Sequence, residues 1–188
     1  MKTRQVKELM VPISEYATIH ESAYMAEAIQ ALESEKRRYK EGPYRHQSLV
    51  VIDDNRHVVG RLSQVDIMRA MEPRYGELGM EDERWMSRSF LSKKVLATLR
   101  ESYHLWERPL EELCKSLLSE KVKDYMQKPT EGEIVSETDT FNIACHRIIM
   151  GRHHSLLVTQ DNVIVGILRS TDLFNSLYDM MATCKEFN

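Results

Sequence analysis

Apolar and polar positions along this chain fall into a fixed succession of spacings, and the succession occurs twice. Val6-Lys7-Glu8-Leu9-Met10 opens the first copy and Val122-Lys123-Asp124-Tyr125-Met126 the second, 116 residues later. A Pro-containing turn follows each, Val11-Pro12-Ile13-Ser14 and Gln127-Lys128-Pro129-Thr130, and then a short extended piece, Ala17-Thr18-Ile19 and Glu133-Ile134-Val135. The spacing then becomes helical. Met25, Ala28, Ile29 and Leu32 stand at i, i+3, i+4 and i+7, and Phe141, Ala144, Cys145 and Ile148 repeat them, which is one buried stripe in each of two helices. With Ser22 and Thr138 as matching N-cap candidates, the helices are predicted over 22–34 and 138–150. Cys145 lies in the stripe and is expected in the core, not as a nucleophile.

Two strands joined by a polar turn come next in each copy. Ser48–Ile52, Asp53-Asp54-Asn55-Arg56 and Val58–Leu62 match Ser155–Val158, Gln160-Asp161-Asn162 and Ile164–Leu168. The offset falls from 116 to 107 before these strands, so the first copy holds extra residues within Ser34–Arg45, a loop with Lys36, Arg37, Arg38, Lys40 and Arg45. Beyond the turn, Val58-Val59-Gly60 and Ile164-Val165-Gly166 lead through Leu62 and Leu168 to Asp66 and Asp172, each opening an amphipathic helix, over 66–72 and 172–183. A shared offset through strand, turn and helix start is the mark of a duplicated unit. Each copy reads β-α-β-β-α, so the fold class is α+β, organised as 1–72, 73–121 and 122–188. The segment 73–121 belongs to neither copy. It holds Trp85 and Trp106, and helices are predicted near 89–102 and 108–121, the second with a stripe of Leu110, Leu113, Cys114, Leu117 and Leu118 that requires a partner surface.

Ser63-x-x-Asp66 before an apolar run is a capping-box pattern. The same groups suit a ligand: a carboxylate accepts hydrogen bonds from two vicinal hydroxyls such as those of ribose, and a helix N-terminus with a hydroxyl or Arg beside it suits a phosphate. In the second copy Arg169 replaces the hydroxyl while Asp172 remains. Residue spacing alone leaves cap and ligand site both open.

Composition narrows the classes. At 42% hydrophobic and 29% charged the chain is an ordinary globular one. A net charge of −3 gives no general attraction for nucleic acid. No apolar run reaches the roughly eighteen residues of a membrane span, and residues 1–20 carry no signal-peptide pattern. Cys114, Cys145 and Cys184 are widely spaced, which suits free thiols in a cytoplasmic protein. His146, His153 and His154 near Cys145 do not form a metal-ligand pattern. No phosphate-binding glycine loop or nucleophile–base motif occurs, so the expectation is a binding module and not an enzyme, with no catalytic residue and no catalytic cofactor.

The two copies, the first with Gly-x-hydrophobic-(Ser/Thr)-x-x-Asp and the second with the same pattern but Arg169 in place of the hydroxyl, resemble a tandem pair of CBS (cystathionine-beta-synthase) domains, the Bateman module, over roughly residues 4–72 and 119–183. The resemblance implies two motifs related by a pseudo-twofold axis, with 73–121 as a helical insertion. It further implies AMP, ADP, ATP or a related adenosine ligand bound between the motifs, association into homodimers, and signalling to an effector protein. By the same resemblance Asp66 and Asp172 are ribose-binding carboxylates. Ser63, and in the second copy Arg169 and Thr171, hold ribose or phosphate. Ile13, Ser14 and Thr130 in the turns, and His46 and His153 at the strand starts, flank the adenine. A ligand-free dimerisation scaffold, in which Asp66 and Asp172 only cap helices, is the alternative.

Overall fold

A computed structural model describes residues 4–38, 48–78 and 92–183. The duplicated pattern appears as strands β1 (Val11–Pro12), β2 (Thr18–His20), β3 (Ser48–Ile52) and β4 (Val58–Ser63) with helices α1 (Met25–Arg38) and α2 (Gln64–Met71). The insertion supplies α3 (Lys93–Ser102) and α4 (Leu110–Ser119). The second copy gives α5 (Val122–Tyr125), β5 (Ile134–Ser136), α6 (Phe141–Gly151), β6 (Ser155–Gln160), β7 (Val163–Arg169) and α7 (Ser170–Thr183). The α+β architecture expected from the pattern is therefore present. Two sheets form, one of order β1-β7-β6-β5 and one of order β2-β3-β4.

Backbone pairing explains why the chain divides into two compact units that do not coincide with the copies. Val6 N–H donates to Asp139 C=O at 2.9 Å and Phe141 N–H to Arg4 C=O at 3.0 Å. The equivalent bonds are Val122 N–H to Ala23 C=O at 3.0 Å and Met25 N–H to Glu120 C=O at 2.9 Å. Each copy's opening segment thus pairs with the helix start of the other copy. One unit contains Val50–Arg61 together with the described residues up to Thr18 and from Lys128 onward; the other contains the described residues of Ile19–Leu49 and Leu62–Gln127.

In the first unit β5 runs parallel to β6, and β6 and β7 form an antiparallel hairpin whose pairing Gln160↔Val163 leaves a two-residue loop. Both loop residues, Asp161 and Asn162, have φ of 48° and 65°, the left-handed backbone that matches the twist of the strands. Side chains alternate across this sheet. Leu156, Val158 and Leu168 join Val6, Val135, Ala144 and Leu173 in one apolar cluster, while Leu157 and Ile167 join Val11, Tyr16 and Val50 in another. Cys145 packs against the former, and burial pushes its thiol pKa up, as befits a core thiol and not a nucleophile. β1 adds at the edge through Val11↔Ile167 and Pro12↔Gly166, where Pro is tolerated. Gly166 is required by this contact: a Cβ there would stand 2.5 Å from Met10 Sδ and 3.0 Å from Val11 O.

In the second unit Met25, Ala28 and Leu32 are buried, and α4 packs on α1 and α2. Four expectations need correction. The helices begin later than Ser22 and Thr138, because these hydroxyls bond to His20 Nδ1 (2.7 Å) and Ser136 Oγ (2.9 Å) in the preceding turn. Glu27 reaches back to Tyr24 N–H at 2.8 Å instead. α1 continues to Arg38, with Arg37 Nε on Glu33 at 3.1 Å, so the start of the charged loop is helix; the rest of that loop, and Trp85, lie outside the described residues. In α4 only Leu113 and Leu117 are buried. An i, i+4 seam satisfies the packing, and Leu110 and Leu118 face outward. Finally, α3 starts at Lys93 behind Ser92, whose Oγ accepts from Val95 N–H at 3.3 Å, and buries no residue.

The insertion is anchored by one carboxylate. Glu72, fully buried at the end of α2, accepts Arg74 Nε and Nη2, both at 2.8 Å, and Trp106 N–H at 2.8 Å. The Arg74 bonds hold its pKa below the usual carboxylate range against the opposing effect of burial. Trp106 Nε1 donates to Tyr75 Oη at 3.0 Å, with the rings edge to face.

Candidate functional site

Ser63 leaves β4 in an extended conformation and caps α2, which carries Asp66 into its first turn. Asp66 is 1% exposed. Its Oδ2 accepts Ser63 N–H at 2.8 Å and Ser63 Oγ–H at 2.6 Å, and Asp66 N–H returns to Ser63 Oγ at 3.3 Å. Its Oδ1 accepts Gln127 Nε2 at 2.8 Å, with Arg69 Nη1 at 3.9 Å. Ser63 and Gln127 thus occupy three of the roughly four acceptor positions of this carboxylate.

Asp172 occupies the equivalent turn of α7 and is 8% exposed. Here one residue supplies what Ser63 and Gln127 supply in the first copy. Arg169 donates its N–H (2.9 Å) and Nε (2.8 Å) to Asp172 Oδ2, and its Nη2 to Oδ1. Tyr16 is buried close to this pair: burial pushes its phenol pKa to about 12, with Arg169 lowering and Asp172 raising it. Ile13 packs on the same apolar cluster as Tyr16, and Ser14 is exposed in the adjoining single-turn helix. Thr171 is exposed at the start of α7.

Thr130 and His153 meet at a third cluster, around Glu133. Thr130 and Glu133 form a capping box, with Thr130 N–H 3.4 Å from Glu133 Oε2. Glu133 is buried, accepts Arg61 Nη2 at Oε1, and has His153 Nδ1 at 3.7 Å. Arg61 Nη1 also donates to Ser155 Oγ at 2.9 Å. His46 lies outside the described residues.

The two acids lie at helix starts as the sequence pattern expects, whereas the neighbouring Tyr16, Arg61, Gln127 and Glu133 were not singled out. Glu133 was accessible, because Thr130-x-x-Glu133 is the same hydroxyl-x-x-acid pattern as Ser63-x-x-Asp66. Gln127 and Arg61 reach their partners across 61 and 72 residues, and no local pattern signals that.

A duplicated β-α-β-β-α unit with a buried acid opening the last helix of each copy defines a tandem module. The CBS domain family matches at residues 6–73 and again at 122–179, and the chain belongs to that family. No curated relative matches the chain significantly. Among solved structures it is similar to CBSX2 in complex with AMP, at 19% identity and a TM-score of 0.59, covering 94% of this chain and 97% of that one. A hypothetical conserved protein from Geobacillus kaustophilus aligns at 17% identity and TM-score 0.61, covering 95% and 98%. A CBS domain-containing protein of unknown function from Bacillus anthracis aligns at 17% and 0.60, covering 94% of each. No described helix is long and apolar enough to cross a membrane.

Proposed function

We propose that this chain is a regulatory, non-enzymatic module that binds an adenine nucleotide, AMP, ADP or ATP, through Asp66 and Asp172. The observation that carries this reading is the pair of buried carboxylates at equivalent helix starts, each within a family to which a nucleotide-bound relative, the AMP complex of CBSX2, also belongs. Ribose hydroxyls would replace the internal donors on the carboxylate, Gln127 at Asp66 and Arg169 at Asp172. Ser63, Thr171 and the released Arg169 are then positioned toward ribose or phosphate. Ile13, Ser14, Thr130, His153 and His46 belong to the segments assigned to the base.

The same reading makes the protein a cytoplasmic homodimer that passes its ligand state to an effector protein. Ile149 of α6 and Phe174, Leu177 and Tyr178 of α7 are exposed apolar side chains on two helices that touch, a surface of the kind that associates. Melting curves with and without each nucleotide test the binding, with Asp66→Ala and Asp172→Ala as controls.

One observation favours a second reading. Asp66 accepts three hydrogen bonds from Ser63 and Gln127 within the protein, which is what a helix cap in a scaffold would show. A protein whose melting point no adenosine compound moves fits that reading instead.

A further inference from the structure

α3 is an amphipathic helix with no buried residue, whereas α1, α2, α4, α6 and α7 each bury at least one side chain. Its apolar positions nevertheless share one face. Leu96, Leu99 and Tyr103 stand at i, i+3 and i+7, with Val95 four residues before Leu99. Val95 and Leu96 are 36% and 49% exposed, and Leu99 and Tyr103 are half-buried. The charges are placed with the same bias. Lys93 and Arg100 stand three residues before and four after Leu96, so they flank it on its own face, while Glu101 falls off that face at i+5. Among the described residues no carboxylate lies within ion-pair distance of Lys93, Lys94 or Arg100. Exposed Arg37 and Arg108, by contrast, find Glu33 at 3.1 Å and Glu112 at 3.9 Å. Lys93 and Lys94 also occupy the first turn, the positive end of the helix dipole, with no acid there to offset them. The other end of α3 is anchored: Leu105 is buried, and Trp106 N–H is fixed on Glu72 at 2.8 Å.

We infer that this face of α3 docks an amphipathic helix of another protein, one with carboxylates beside its apolar stripe. The inference gives the effector its chemistry and rests on that part of the proposed function, not on the nucleotide. The ridge of Leu96, Leu99 and Tyr103 fits the groove of a second helix, the mode in which anchors at i, i+3 and i+7 are read. Carboxylates flanking that groove would pair with Lys93, Lys94 and Arg100, which meet no acid within the described residues. Pairing of this face with its copy in a second chain is disfavoured, because both would bring the same unpaired cations. An anionic bilayer is disfavoured as well: Glu101, Glu107, Glu111 and Glu112 follow closely in the chain, and a negative surface would repel them.

The test titrates the full chain, without nucleotide, into a fluorescent synthetic peptide of about 20 residues, long enough to be helical in water. The peptide carries Leu at helical spacing on one face with Glu on both flanks, and a control peptide has Lys in place of Glu. Fluorescence anisotropy should show saturable binding of the Glu peptide, weakening as salt rises, and none of the Lys peptide. Leu96→Glu should weaken binding on the order of tenfold or more. Lys93→Glu combined with Arg100→Glu should transfer the preference to the Lys peptide, which loss of structure would not do. Because α3 buries no residue, these variants should melt as the native protein does. Affinity that ignores the peptide's charge, or that survives Leu96→Glu, would overturn the surface. Binding to phosphatidylserine–phosphatidylcholine vesicles but to neither peptide, or no saturation at millimolar peptide, would do the same. A lowered melting point in Leu96→Glu would mean that this chain already covers the face, and would overturn it too. Melting curves that no nucleotide moves would count against the nucleotide reading and leave peptide binding untouched.

Discussion

Replacing Asp66 by Ala removes one side chain but disturbs three partners, and the structure separates what each is worth. The cap on α2 is lost, at about 1 kcal/mol. Ser63 N–H and the Gln127 amide lose their acceptor, and a buried donor left without a partner costs about 1–3 kcal/mol. Gln127 is an exposed residue, so water replaces part of its bond and the total stays at about 2–4 kcal/mol. For a chain of this length that lowers the melting point by about 5–15 °C. This part is common to the cap and ligand readings.

Ligand separates them. A nucleotide at about 100 times its Kd stabilises the native protein by about 2.7 kcal/mol, a rise of about 5–11 °C. Two ribose hydroxyls at Asp66 need two acceptor positions, so they must displace Gln127 Nε2 at 2.8 Å or the Ser63 hydroxyl at 2.6 Å. Binding therefore exchanges hydrogen bonds instead of adding them, so the variant should lose only about tenfold in affinity. At the same nucleotide concentration it then gains about 1.4 kcal/mol, roughly half the native shift. Gln127→Ala supplies the opposite sign: it frees Oδ1, so it should lower the ligand-free melting point and tighten nucleotide binding severalfold. Thermal melts with AMP, ADP and ATP on the three proteins decide the matter. Equal nucleotide shifts in native protein and Asp66→Ala would refute the reasoning, and Asp66 would be a cap alone.

Arg169→Ser rebuilds the Ser63 arrangement in the second copy, and calorimetry with uncharged adenosine should then show a second site that the native protein lacks. Glu72→Gln should destabilise the protein by about 1–3 kcal/mol near neutral pH, because the Arg74 and Trp106 donors lose a charged acceptor. Since the folded pKa of Glu72 is lowered, its stabilisation is complete above the unfolded value of about 4.3 and is lost as pH falls through the folded one, so denaturant melts of the two proteins should converge in acid. Tyr178→Glu, on the exposed face of α7, should convert a dimer into a 22.0 kDa monomer in sedimentation equilibrium; a native protein already at that mass would remove the dimer from the proposal.

The duplicated elements were legible because each rests on local spacing. The stripe Met25-Ala28-Leu32 and the alternation Leu156-Leu157-Val158 state which faces are buried before any fold is known. The exchange of opening segments was not legible, because Val6 and Asp139 pair through backbone atoms that carry no sequence signal. The helix starts were misplaced for a related reason: a hydroxyl near a helix start serves the turn before it as readily as the helix, and Ser22 and Thr138 both do so. The two candidate acids were legible at their helix starts, whereas the donor Gln127 on Asp66 and the buried Tyr16 near Asp172 were not.

Those partners make equivalent positions unequal. Asp66 and Asp172 begin equivalent helices, yet the donors hydrogen-bonded to the Asp66 side chain from other residues' side chains, a hydroxyl and an amide, are neutral, with the half-exposed Arg69 only at ion-pair distance (3.9 Å), whereas Asp172 is hydrogen-bonded by a guanidinium. A neutral donor yields its acceptor to a ribose hydroxyl at little cost, since one neutral bond replaces another. Arg169 yields Asp172 only if its charge finds another anion, because separating a largely buried pair leaves both charges unsatisfied. A phosphate provides that anion and a nucleoside does not. The first site should therefore respond to adenosine and its phosphates alike, and the second only to the phosphorylated forms. Calorimetry showing two identical sites for unphosphorylated adenosine in the native protein would contradict this division.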